Sequence, residues 1–145
     1  KQLLHFVLPT AKKRLEQEYD FSCKPVDICN ITWACATLQV SDEELMALAG
    51  QKIVGMGIDS FGSQDISNYI WAHARLQVPI PPSCDEQLQA RTEELLPQFR
   101  SDELLGVVWA AARLETQNSR LFEGVAKRSL PIMVDFQPSE SASLL

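Results

Sequence analysis

Apolar residues recur along this chain at helical spacing, and the helical pattern itself recurs. Leu45, Leu48, Ala49 and Ile53 mark one face of an amphipathic helix. Leu121, Phe122, Val125, Ala126 and Leu130 do the same later, and Phe6, Val7, Ala11 and Leu15 open the chain in the same way. Between these stripes lie segments that are apolar almost all round, each holding one tryptophan: Trp33, Trp71 and Trp109. The spacing between them is 38 residues both times, inside the phrase W-A-x-A-x-L. No alternating strand pattern and no hairpin dipeptide interrupts the series. The pattern predicts an all-α chain with two helices per period, helix A carrying the tryptophan and helix B the amphipathic stripe.

The register extends upstream of each tryptophan. Five residues before stand Ile28, Ile66 and Leu104, six before Asp27, Asp65 and Glu103, and ten before Cys23, Phe61 and Phe99. A fixed period between about 20 and 50 residues is the signature of a repeat array, in which each unit buries its apolar face on its neighbours. The expected fold is an α-solenoid of stacked antiparallel helix pairs. The expected units are residues 23–60, 61–98 and 99–136, with 1–22 the end of one truncated repeat and 137–145 the start of another. On this reading residues 1–145 are a single array and a piece of a longer protein.

Local signals place the helix ends. Helix A is expected to start near Pro25, Ser63 and Ser101, with acids in the first turn favoured by the positive helix start. Helix B is expected to open on the capping boxes Ser41-x-x-Glu44 and Ser83-x-x-Glu86. Gly55, Gly57, Pro97 and Pro131 are the expected stops.

On a wheel of about 100° per residue, helix A leaves one polar sector, beside the tryptophan edge. It holds Asn30 and Thr37 in the first unit, Gln64, Asn68 and Arg75 in the second, and Asp102, Gly106 and Arg113 in the third. With the units in register, these sectors should align along one surface. The tryptophans are expected to wedge adjacent helices in the repeat core, with base stacking as their other available role. Asn30 and Asn68 are open between inter-repeat hydrogen bonding and ligand contact. Arg75 and Arg113 are open between contact with a phosphate or base and pairing with nearby acids.

Charge changes the picture. The net charge is −6; residues 23–60 and 61–98 each hold five acids against two bases, while 99–136 hold five of each. Binding driven by phosphate neutralisation needs Lys and Arg, so the middle of the chain is a poor electrostatic platform. Cys23, Cys29, Cys35 and Cys84 form no C-x-x-C pair, and His5 and His73 are isolated. No metal site, cofactor, nucleophile grouping or glycine-rich phosphate loop is expected, so no enzyme activity is expected either. No apolar run reaches the roughly 18 residues of a membrane span.

The phrase Phe61-x-Ser63-Gln64-Asp65-Ile66-Ser67-Asn68-x-x-Trp71-Ala72-x-Ala74-x-Leu76 resembles the octotricopeptide repeat, a helical-hairpin family. It is also similar to the repeats that precede RAP domains in organelle proteins. Pro79-Ile80-Pro81-Pro82 is similar to the proline-rich inter-helix loop of such repeats. The resemblance implies binding of single-stranded RNA in a mitochondrion or chloroplast, for RNA processing, stability or translation. The RNA-contacting candidates are then Asn30, Thr37, Gln64, Asn68, Arg75 and Arg113. Gly106 departs from the asparagine of the other units, and the acidity favours an alternative: a protein–protein scaffold within a large organellar assembly such as a mitochondrial ribosome.

Overall fold

The computed structural model describes residues 2–17, 23–114 and 119–132. Seven α-helices account for most of them: α1 (Gln2–Glu16), α2 (Pro25–Thr37), α3 (Glu43–Met56), α4 (Ser63–Leu76), α5 (Pro82–Leu95), α6 (Ser101–Arg113) and α7 (Ser119–Ile132). Short 3-10 turns follow α3 at Ile58–Ser60 and α5 at Leu96–Gln98. No strand occurs among the described residues, and the chain is all-α. Residues 137–145, expected to begin a further unit, lie outside the described residues.

The tryptophan-bearing helices start at Pro25, Ser63 and Ser101 by one device. The acid six residues before each tryptophan reaches back to the amide just outside the helix. Lys24 N–H donates to Asp27 at 2.9 Å, Gly62 N–H to Asp65 at 3.1 Å, and Arg100 N–H to Glu103 at 2.9 Å. Each bond satisfies an orphan donor and puts negative charge at the positive end of the helix dipole. The exits match as well. Gln39 and Gln77 take left-handed backbone (φ 54° and 56°), and the next amides bond back to Cys35 and His73 carbonyls at 2.9 and 3.1 Å. That is the Schellman closure, here without glycine.

The helix B starts differ from the capping boxes expected at Ser41 and Ser83. Asp42 caps α3, accepting from Leu45 N–H at 3.0 Å. α5 begins at Pro82, whose preset φ suits a first helical position, and so takes Ser83 inside. Gly57 (φ 84°) closes α3 while Gly55 stays within it, and Pro131 falls inside the last turn of α7 rather than ending the helix.

Two layers result. α2, α4 and α6 pack side by side in one, α1, α3, α5 and α7 follow one another in the second, and each tryptophan helix rests on the helix that follows it. Small residues permit the close approach in the first layer. The alanine after the tryptophan is buried in α4 and α6 but only half-buried in α2. The alanine three residues after it is buried in α2 and α4 but exposed in α6. This pattern follows if the first alanine meets the preceding helix of the layer and the second meets the next. Ile28, Ile66 and Leu104 are fully buried between the layers, with Leu45, Ile53, Leu88 and Leu95 opposite them.

A strut also recurs. Each helix of the second layer from α3 onward sends a long cation back to a carbonyl in the segment before the preceding tryptophan helix. Lys52 donates to the Gln17 carbonyl. Arg91 donates to Phe61 and Asp59 carbonyls at 3.2 and 3.0 Å, and Arg128 reaches the Phe99 carbonyl at 3.5 Å. At the first step Lys12 of α1 joins Asp42 and Glu44 of α3 at 2.9 and 2.6 Å.

Candidate functional site: a tryptophan-lined groove

The three indoles border one groove of about 590 Å³ across α2, α4 and α6. Ser67, Asn68, Arg75, Asp102, Leu105 and Gly106 complete most of the lining, with Thr37 at one edge. The expectation that Trp33, Trp71 and Trp109 form the repeat core is therefore corrected. Trp33 is 44% exposed, and Trp71 and Trp109 are half-buried, packed on the core rather than inside it. The physical reason lies on the wheel. The polar sector sits within about 60° of the tryptophan direction, so the ring goes where the sector goes. Trp33 is the most open because no described helix flanks α2 on its outer side.

The two steps between neighbouring indoles differ. Trp71 and Trp109 have ring centroids 6.3 Å apart at a 36° tilt. The Arg113 guanidinium lies 5.4 Å from the Trp109 ring centre, and its Nε donates to the Ala74 carbonyl at 3.2 Å. Such a cation–π contact contributes about 0.5–1 kcal/mol at an exposed site. Trp33 has no aromatic ring partner among the described residues.

The polar side chains sort by what they already bond. Asn68 is half-buried in the groove and Arg75 exposed at its rim, and neither has a hydrogen-bond or ion-pair partner among the described residues. Among the described residues neither Arg75 nor Arg113 has a carboxylate partner. Thr37 caps its own helix by donating to the Trp33 carbonyl at 2.9 Å. Asp102 pairs with Arg100 at 2.9 Å. Asn30 lies away from the groove, beside a second hollow lined by Arg14, Leu15, Cys23, Asp27 and Ile31. Gln64 is exposed and outside the groove lining.

Ser67 and Leu105 line the groove and were missed by the sequence reading. Each stands four residues before a tryptophan, hence on the same helix face, and that spacing was available to find them. Ser67 donates to the Glu103 carbonyl at 2.8 Å, tying α4 to α6. Its Oγ lies 2.9 Å from where a side chain on Gly106 would begin. Gly106 therefore stands at the third asparagine position because the neighbouring serine occupies the space.

The interior beneath the groove is polar in places but closed. His73 is fully buried, Nδ1 donates to the Val78 carbonyl at 3.0 Å, and Nε2 has no hydrogen-bond partner. Burial pushes its pKa down to about 4, against the smaller upward pull of the Val78 carbonyl. The Tyr69 ring packs against it at a 59° tilt, centroids 4.6 Å apart, and sets its hydroxyl 3.9 Å from the Cys84 sulfur. Gly50 admits this cluster; a side chain there would begin 2.8 Å from Pro81. All four cysteines are buried and unbridged, and burial pushes the Cys29, Cys35 and Cys84 thiols up. Among the described residues no group of three His, Cys, Asp or Glu side chains is placed to hold a metal, and no helix is long and apolar enough to cross a membrane. No family model matches the chain, and no curated protein matches it.

Proposed function

We propose that this chain is an α-solenoid with a 38-residue period that binds single-stranded RNA along the tryptophan groove, in organellar RNA processing, stability or translation. The observation that carries this reading is the meeting, in one groove, of three accessible indoles with an amide and a guanidinium that no other described residue engages. Base–aromatic stacking contributes about 1–3 kcal/mol per base and tolerates any sequence, since every base has a π-face. The resemblance to octotricopeptide repeats supports the same reading and is the basis for a mitochondrial or chloroplast location.

The acidity of the chain limits the mode rather than the fact of binding. Asp27, Asp65 and Glu103 serve as helix caps, Asp42 and Glu44 hold Lys12, and Asp102 holds Arg100. The attraction at the groove comes from stacking plus Arg75 and Arg113. Each phosphate contact on a single strand contributes about 0.7 to the salt slope, so the slope should be no steeper than about 1.5. Titration of the chain with single-stranded oligonucleotides at several salt concentrations, followed by tryptophan fluorescence, tests this. Quenching with a shallow slope supports the reading. Absence of binding at about 50 mM salt, where screening is weak, refutes it.

One set of observations favours a protein–protein scaffold instead. Phe6, Val7, Val26, Leu38 and Leu130 are all exposed on an acidic chain. A groove that stays silent to RNA while these positions become protected in an organellar assembly would establish that reading.

A further inference from the structure

In the tryptophan layer α4 has a neighbour on each side, whereas α2 and α6 have one each among the described residues. Burial shows which face of each helix is left unmet. Two residues before the tryptophan and one after it, Tyr69 and Ala72 are buried in α4 and Val107 and Ala110 in α6. Their counterparts in α2, Ile31 and Ala34, are only half-buried. That face meets the preceding helix. One residue before the tryptophan and three after it, Thr32 and Ala36 are buried in α2 and Ile70 and Ala74 in α4. In α6 Val108 is half-buried and Ala112 exposed. That face meets the following helix. The layer thus has one open face of each kind, at opposite ends.

The open faces also match in shape. Across the α4–α6 junction Ser67, four residues before its tryptophan, lodges between Glu103 and position 106. Asp27 and Asn30 hold those two places in α2, where they border an open hollow of about 280 Å³ together with Arg14, Leu15, Cys23 and Ile31. Leu105, half-buried, holds the serine's place in α6. A socket stands at one end of the layer and a larger apolar side chain for it at the other. The exposed large hydrophobics follow the same division: Phe6 and Val7 on α1, Val26 and Trp33 on α2, Leu38 just past it, and Leu130 on α7. None lies on α3, α4 or α5. The outer faces of a solenoid's end units must be polar for it to stay soluble alone, and these are not.

From the layer packing alone, and independently of RNA binding, we propose that a second copy of this chain docks on these faces, head to tail. α6 of one copy packs on α2 of the next as α4 packs on α6 within each. Leu105 of the first copy enters the hollow between Asp27 and Asn30 of the second. Ala112 and Ala34 supply the small residues that Ala74 and Ala110 supply at the α4–α6 junction. In the second layer α7 of one copy comes beside α1 of the next, the helices that carry Leu130, Phe6 and Val7. The contact joins unlike faces, so it propagates to a ring or a row instead of closing on a symmetric pair. Trp109 of one copy then stands beside Trp33 of the next, and the indole groove runs on from copy to copy.

Sedimentation velocity of the chain without RNA, over a range of concentrations, tests this, with circular dichroism as the check of fold. Wild type should grow in mass past the dimer, and its tryptophan emission should shift to the blue as Trp33 is covered. Ala34→Glu blocks one face and Ala112→Glu the other, each by burying an unpaired charge at the junction. Each alone should be monomeric where wild type associates. Mixed in equal amounts they should form a dimer and stop there, because one open face of each kind remains. Ala112→Ser, which keeps the side chain small, should associate as wild type does. A wild type that stays monomeric throughout leaves these faces to a helix of another protein and overturns self-association. So does an Ala34→Glu or Ala112→Glu variant that still self-associates, which marks a symmetric contact, or a mixture of the two that forms no dimer. None of these outcomes bears on RNA binding.

Discussion

Ser67 on α4 donates its hydroxyl proton to the carbonyl oxygen of Glu103 on α6, and so occupies the space a side chain at position 106 would need. The pair therefore couples two helices through one atom. Gly106→Ala should gain about 1 kcal/mol of helix propensity and lose about as much when the serine is displaced from its bond. The single variant should be near neutral. In a Ser67→Ala background the same change should stabilise by about 1 kcal/mol. Urea midpoints of the four variants test this, and strict additivity would show that the two residues do not share the space.

His73 gives stability a pH dependence whose sign follows from burial. Its folded pKa, about 4, lies below the unfolded value near 6.5. The unfolded state therefore binds the proton first, and the stability contributed by the neutral ring is complete above about 6.5 and lost as pH falls towards 4. Between pH 7 and 5 this amounts to about 2 kcal/mol. Ala111 holds the equivalent position in α6, so His73→Ala is a substitution the fold already uses. That variant should lose less stability over the interval than wild type does; parallel curves would place the titration elsewhere.

Tryptophan truncations should rank by exposure. Trp33→Ala should cost about 1 kcal/mol, since so much of the ring already meets solvent. Trp71→Ala, between two neighbours, should cost about 2–3 kcal/mol, below the 3–5 typical of a fully buried aromatic. Thermal or chemical denaturation reads the order, and a costlier Trp33 would contradict the groove placement.

Arg91 anchors α5 to the turn before α4 through the Phe61 and Asp59 carbonyls, and pairs with Glu94 at 2.8 Å. Arg91→Ala should cost about 2 kcal/mol, in the range of hydrogen bonds from a charged donor. The loss should appear as faster amide exchange around Phe61 and Gly62. An unchanged exchange pattern there would show that the strut bears no load.

The helix A boundaries were legible because proline, serine and an acid in the first turn act locally, and the resulting polar sector did bring Thr37, Asn68, Arg75, Asp102 and Gly106 to one groove. What escaped depends on partners distant in sequence. Ser41 and Asp42 can both cap a helix, and Asp42 has in addition Lys12 of α1, whose ammonium and the Leu45 amide draw its carboxyl below the ordinary range despite burial. The cation struts at Lys52, Arg91 and Arg128 are spaced by 39 and 37 residues, off the 38-residue register, so no repeat alignment exposes them. The tryptophans were misplaced because an apolar ring was assigned to the interior on composition, although its angle on the wheel tied it to the polar edge.

The two alanines beside each tryptophan make α4 a helix with compatible edges: one suited to the helix before it, the other to the helix after it. A helix with complementary edges can be followed by its own copy. Duplicating residues 61–98 in tandem would set a second Asn68 at the place Gly106 holds, against Ser67, so the copied junction should accept the repeat once that serine is trimmed to alanine. The groove would lengthen by one indole and one Asn68–Arg75 pair per insertion. Length, on this geometry, is an adjustable parameter of the binding surface, set by how many times one sentence of sequence is repeated.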